Sequence, residues 1–176
     1  MLRLAQAADE PAVARLHAES WRTAYRGILR DDFLDGAVAA NRRELWSTRF
    51  SEINRADQLI LVSEEGEEIQ AFACAYLDAD PEWGTLVDNL HVVPGLKGKG
   101  LGRLLMAAVA EDVQRHGLHP VLHLWVYEQN AQARRFYERL GGLVTTCVAK
   151  TTPDGSRVNV LRYGWRELSF LVNNNL

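Results

Sequence analysis

The stretch Leu90-His-Val-Val-Pro-Gly-Leu-Lys-Gly-Lys-Gly-Leu-Gly-Arg-Leu-Leu-Met106 decides the reading of this chain. Its apolar run ends at Pro94, which has no N–H to give to a sheet ladder. Gly98, Gly100 and Gly102 then alternate across a turn. A helix follows from about Gly100 to His116, because Leu101, Leu104, Leu105, Ala108, Val109 and Val113 recur at three- and four-residue spacing. Glycines at alternate positions let backbone N–H groups converge on one point while a ligand comes close. The helix start adds unpaired N–H groups and the positive end of its dipole. Lys97, Lys99 and Arg103 bring three cations to the same place. The product is an anion site suited to a pyrophosphate. Two other phosphate loops fail on the letters. A Walker loop needs Lys and then Ser or Thr after its last glycine, whereas Leu101 and Gly102 follow Gly100. A dinucleotide fingerprint starting at Gly98 needs a small residue where Arg103 stands.

Outward from this loop the period of the apolar residues sorts the elements. Upstream, Thr85 to Val93 reads as a strand. Residues 58–63 and 69–77 form a hairpin across the acidic turn 64–68. Two helical stretches come first. One starts near Asp9 and Pro11, carries Val13, Leu16 and Ala24 on one face, is bent or broken near Ser20 and ends at Gly27; the other runs from about Asp31 to Phe50 and buries Val38, Leu45 and Trp46. Downstream, Val121 to Tyr127 is a strand, and Asn130 caps a helix reaching Leu140, which Gly141 and Gly142 terminate. Strands Leu143–Thr151 and Arg157–Trp165 flank the turn at 153–156, and residues 172–176 are expected to fray. The order predicts an α/β (α+β) fold: one domain over 1–176, with a mixed central sheet and helices on both faces.

Composition narrows the function classes. With 20 Lys and Arg against 23 Asp and Glu, the net charge of −3 argues against a nucleic-acid coat. No apolar run approaches the roughly 20 residues of a membrane helix, and acids occupy the place of a secretory signal's apolar region. Cys74 and Cys147 both sit in strand-like runs and read as free, buried thiols in a reducing cytoplasm. His17, His91, His116, His119 and His123 do not combine with them at metal-ligand spacing, so no metal site is expected.

The glycine loop Lys97-Gly-Lys-Gly-Leu-Gly102 resembles the acyl-CoA pyrophosphate loop of the GCN5-related N-acetyltransferases, with Lys97 keeping a cation where Gln or Arg is usual. Downstream, Asn130-Ala-Gln-Ala-Arg-Arg-Phe-Tyr-Glu-Arg-Leu-Gly-Gly142 is similar to that family's second signature, except that Gly142 replaces an aromatic residue. The resemblance covers essentially the whole chain. It implies an acetyl-CoA-dependent N-acyltransferase whose co-substrate lies in a splay between Thr85–Val93 and Val121–Tyr127.

By the same resemblance, Leu90, His91 and Val92 meet the pantetheine arm, and the amides of Gly98, Lys99, Gly100, Leu101, Gly102 and Arg103 cradle the pyrophosphate beside Lys97. Asn130 is a helix cap and a pantetheine contact. Tyr137 is the expected catalytic phenol, protonating or stabilising the departing thiolate; core packing beside Phe136 is the alternative. The usual glutamate position falls on Leu86, and the other common site on Trp125. Asp88, two residues along the same strand face, is therefore the first candidate base, with His91, His123, Glu128 and a water chain behind it. Trp21 and Tyr25, four apart on a helix, wall the acceptor pocket or pack on the sheet. Arg22 and Arg26 form a solvated cationic face or an anion clamp.

The acceptor is expected to be a small-molecule amine, or a protein N-terminus or lysine. Family analogy allows a homodimer through the closing hairpin. A catalytically weak acyl-CoA sensor is the competing reading, and nucleotide or RNA binding is disfavoured by the acidic balance and the missing aromatic platform.

Overall fold

The computed structural model describes residues 1–53 and 56–173. Seven strands form one sheet: β1 (Leu2–Leu4), β2 (Gln58–Glu65), β3 (Glu68–Asp80), β4 (Gly84–Val92), β5 (Leu122–Tyr127), β6 (Leu143–Thr151) and β7 (Arg157–Trp165). Their spatial order is β1-β2-β3-β4-β5-β7-β6. Each neighbouring pair is antiparallel except β4 and β5, which run parallel. The helices α1 (Glu10–Ala24), α2 (Val38–Ser51), α3 (Leu101–His116), α4 (Ala131–Arg139) and α5 (Ser169–Asn173) cover both faces.

Both faces of β2 and β3 are buried, which is why these strands read as nearly continuous apolar runs. Ile60, Val62, Phe72 and Cys74 pack with Val13, Leu16, Trp46 and Phe50 of α1 and α2. Their neighbours Leu59, Leu61, Ala71 and Ala73 turn the other way, toward Leu105, Val109 and Val113 of α3, Tyr137 of α4, Leu140 at its C-terminal cap, and Leu171 of α5. At roughly 1.5–3 kcal/mol per fully buried large aliphatic or aromatic side chain, these two clusters supply the main drive to fold.

Several local expectations are corrected. α1 passes through Ser20 without a break, because the Ser20 hydroxyl hydrogen-bonds across to His91 Nδ1 at 2.9 Å instead of competing for its own helix backbone. The second helical stretch opens with a π-helical turn at Phe33–Ala37. Leu45 is only half-buried, while Arg42 and Phe50 join Val38 and Trp46 inside. Cys74 is buried but Cys147 is exposed, since β6 is the outer strand of the sheet and is open along most of its length. β1 is too short at three residues to give a periodic signal. Of the tail expected to fray, residues 172–173 complete α5 and 174–176 lie outside the described residues.

The missing aromatic at Gly142 has a physical reason. A Cβ there would lie 2.5 Å from Cζ2 of Trp165, whose buried indole donates to the Leu140 carbonyl at 2.8 Å. The ring of β7 occupies the space beside the α4 terminus. Gly142→Ala is expected to destabilise the fold by about 1–3 kcal/mol through overpacking, which thermal melting would register as a drop of several degrees. An unchanged midpoint would contradict this packing.

Candidate active site

The site begins where two strands part. β4 and β5 pair at Thr85↔Leu122 and Leu86↔His123, then continue to Val92 and Tyr127 with no further pairing between them. The next residues of β4 form a bulge. Ala75 of β3 faces Val87 and Cys74 faces Asn89, leaving Asp88 as the extra residue. Arg49 of α2 clamps both sides of this irregularity, reaching Asp88 at 2.5 Å and hydrogen-bonding the Asn89 side-chain oxygen. The bulge also changes the parity of the strand. Val87 and then Leu90 pack on the α3 side, whereas His91 meets Phe72 and His17 on the α1 side.

A cleft of about 480 Å³ fills the divergence. Leu90, His91 and Val92 form one wall, Trp125, Val126 and Tyr127 the other. The β4 edge that faces the cleft has no strand partner beyond Leu86, so its backbone polar groups are available to an extended ligand.

One end of the cleft suits a pyrophosphate. Gly98 and Gly100 adopt φ values of +84° and +88°, a region open at little cost only to glycine. Gly100 caps α3 without any side-chain bond, and Leu104 N–H is the first amide of the helix to find an acceptor there. The N–H groups of Leu101, Gly102 and Arg103 have none among the described residues. A Cβ at Gly102 would come within 3.2 Å of the Phe136 ring, so this position holds the helix start close to α4. Arg103 Nε is buried with no hydrogen-bond partner, and burial lowers the Lys97 ammonium below its ordinary pKa. Both defects are ones a bound polyanion would relieve. Gly98, Gly100, Gly102, Lys97 and Arg103 line the cleft; Lys99 is exposed and Leu101 half-buried, and neither side chain does.

α4 supplies the opposite corner. Asn130 Oδ1 accepts from Ala133 N–H at 3.1 Å, the cap expected of it, while its residue also faces the cleft. Tyr137 is 8 % exposed and lines the cleft, and its hydroxyl has no hydrogen-bond partner among the described residues. Burial raises its pKa far above that of an ordinary phenol.

The wall contributed by α1 is aromatic. The rings of Tyr25 and Tyr127 meet edge-on at 4.8 Å, and both line the cleft. Trp21 lies 5.1 Å behind Tyr25, buried and outside the lining. Asp88 also stands outside it, paired to Arg49. His91 is held at Nδ1 by Ser20 and tilted against His17 at 4.4 Å. Burial first, then the Lys97 and Arg42 charges, pushes its pKa down to about 3, so it is neutral at physiological pH. His123 Nδ1 bonds the Trp83 carbonyl, Glu128 accepts from Asn159, and Trp125 carries the Lys150 ammonium 4.1 Å above its ring. Arg22 of α1 donates to the Leu34 carbonyl at 3.1 Å, and Arg26, just beyond that helix, pairs with Asp31 and Asp35.

Ser20, Tyr127 and Arg49 were not singled out from the sequence. Period-two alternation from Trp125 signals the face of Tyr127, but nothing local announces that a helix arginine will bridge a strand bulge. Among the described residues, no group of three or more His, Cys, Asp or Glu could hold a metal ion, and no helix is long and apolar enough to cross a membrane.

Comparison with known proteins agrees with this geometry. The chain is similar to an uncharacterized N-acetyltransferase, YuaI, of Bacillus subtilis (strain 168), at 25% identity over 97% of this chain and 95% of that protein. It is similar at 26% identity to the L-amino acid N-acyltransferase MnaT of Escherichia coli (strain K12), over 97% of this chain and 91% of that one. Its fold superposes on the crystal structure of PaiA N-acetyltransferase from Thermoplasma acidophilum in complex with coenzyme A, with a TM-score of 0.74 at 18% identity, covering 94% of this chain and 98% of the other. The acetyltransferase (GNAT) family profile matches residues 14–142, and the chain belongs to that family of acetyl-CoA-dependent acyltransferases.

Proposed function

We propose that this protein moves an acetyl group from acetyl-CoA to a primary amine by direct attack in a ternary complex. The acceptor is a small-molecule amine or an amine of a protein. The observation that carries the reading is the splay of β4 from β5, with a left-handed glycine loop at one end and the unbonded Tyr137 hydroxyl inside it.

Leu90, His91 and Val92 would hold the pantetheine through backbone groups, and the amides around Gly98, Gly100, Gly102 and Arg103 the pyrophosphate. When bound, acetyl-CoA supplies a thioester carbonyl that a neutral amine can attack, with a thiolate as leaving group. Tyr137 lines the cleft from α4 and would serve that leaving group. A thiol titrates near ~8.5 and a phenol near ~10, and burial lifts this phenol further. Its proton therefore stays on oxygen, and Tyr137 acts chiefly by donating a hydrogen bond to the developing negative charge. We assign Asp88 as the base acting through solvent, because the cleft lining holds no carboxylate and Asp88 is the acid on the adjacent bulge.

Acetyl-CoA at ~100 times its dissociation constant should raise stability by roughly 2.7 kcal/mol, a shift visible in thermal melting beside ATP and NAD controls. Gly100→Val, which forces a branched side chain into φ +88°, should abolish the shift. No selective shift in the native chain at millimolar acetyl-CoA would sink the reading. A selective shift with no turnover of any amine would instead favour an acyl-CoA sensor.

Tyr137→Phe should keep that shift and lower kcat about 100-fold; an unchanged kcat would remove Tyr137 from the chemistry. Asp88→Asn should cost about tenfold in kcat/KM near pH 7 if one proton-transfer aid is lost. The gap should narrow as pH rises, because an amine already neutral in solution no longer needs a base. A gap independent of pH would mean that Asp88 serves only to hold the bulge through Arg49.

A further inference from the structure

We propose that Arg42 binds a carboxylate of the acceptor, so that the amine acetylated belongs to a carboxylate-bearing molecule. This deepens the acyl-transfer reading above and rests on it.

Arg42 and Arg49 stand seven residues apart, hence on the same face of α2 two turns from each other. Both are withdrawn from solvent, but only one is neutralised. Arg49 has Asp88. Arg42 is 6 % exposed and has no carboxylate within ion-pair distance among the described residues. Its Nη2 reaches only the side chain of its neighbour Asn41. Its Nε is buried with no partner, and Nη1 makes no hydrogen bond among the described residues either. A buried guanidinium that leaves donors unused carries a desolvation cost that a structural arginine normally avoids by pairing.

Arg42 is not itself a lining residue of the cleft; it stands directly behind the lining, on Trp21. Its guanidinium carbon lies 4.0 Å over the Trp21 ring, which holds the guanidinium plane. Trp21 meets Tyr25 and Tyr25 meets Tyr127, the two rings that line the cleft. The Arg42 charge acts on Tyr25, Tyr127 and His91, all lining residues. Burial first and then repulsion from Arg49 push Arg42 itself down to about 10, and the pull of Asp88 is smaller than that repulsion. With Asp88 committed to Arg49, the buried charge of Arg42 remains unmatched. A planar, singly charged carboxylate matches both the charge and the fork geometry, and a bidentate pair would use the free donors.

The test compares kcat/KM for L-amino acids with that for their carboxamides, and for blocked-C-terminus peptides carrying Glu or Gln at the second residue. The first pairs report a free amino acid as the source of the carboxylate, the second an acidic peptide. In one set, the carboxylate member should be preferred by about tenfold to a hundredfold, chiefly through KM, as expected for a charged hydrogen bond. Arg42→Met should erase the preference and Arg42→Lys should keep part of it, with the acetyl-CoA thermal shift as the check that each variant is folded. If Arg42→Met does not fold, the native ratios and Arg42→Lys decide. Turnover with equal kcat/KM in every pair overturns the role of Arg42 and leaves acyl transfer standing. Failure to acetylate any amine despite acetyl-CoA binding overturns both.

Discussion

The Arg49–Asp88 ion pair at the β4 bulge is the contact on which the site depends. One residue too many in β4 breaks the alternation, and the strand that paired with β5 at Leu86 then runs free to Val92. Without the bulge, His91 would point toward α3 and the cleft would lose a wall. Arg49 holds this irregularity by gripping Asp88 and Asn89 from the helix above, while its own guanidinium lies 5.0 Å from the Trp46 ring. Breaking the pair would leave a largely withdrawn charge without its partner, which is why such a bond resists loss more than an exposed one.

The two covered faces of the sheet divide the labour. The α3–α4 face presents the glycine loop, the free amides of the helix start and the Tyr137 phenol. The α1–α2 face presents the Tyr25–Tyr127 wall, the Ser20–His91–His17 contact and Arg42 and Arg49 of α2. A ligand in the splay would touch both, because β4 and β5 are unpaired there beyond Leu86 and His123.

Local elements were legible where one face of the chain is decided by nearby residues. The α3 boundaries, the Asn130 cap and the β6–β7 hairpin all follow from periodicity and turn chemistry, and each stands within a residue or two of its expected place. Ser20 misled because its preference for breaking a helix is overridden by a partner 71 positions away. Trp21 has the right spacing to Tyr25, yet the pair straddles the boundary between cleft and core. Spacing states that two rings share a face; it does not state which ring ends the packing.

The amino-acid sequence by itself determined the class of fold, the order of its elements and the glycine loop at the start of α3, because these depend on side-chain period, φ preferences and helix ends. Tertiary structure alone decided which polar groups are paired. Asp88 looks the same in the chain whether it is free or held by Arg49, and Arg42 looks like one more helix arginine until its neighbours are seen. The physical reason is that ion pairing and desolvation are set by what packs within a few ångströms, and those neighbours come from distant stretches of chain.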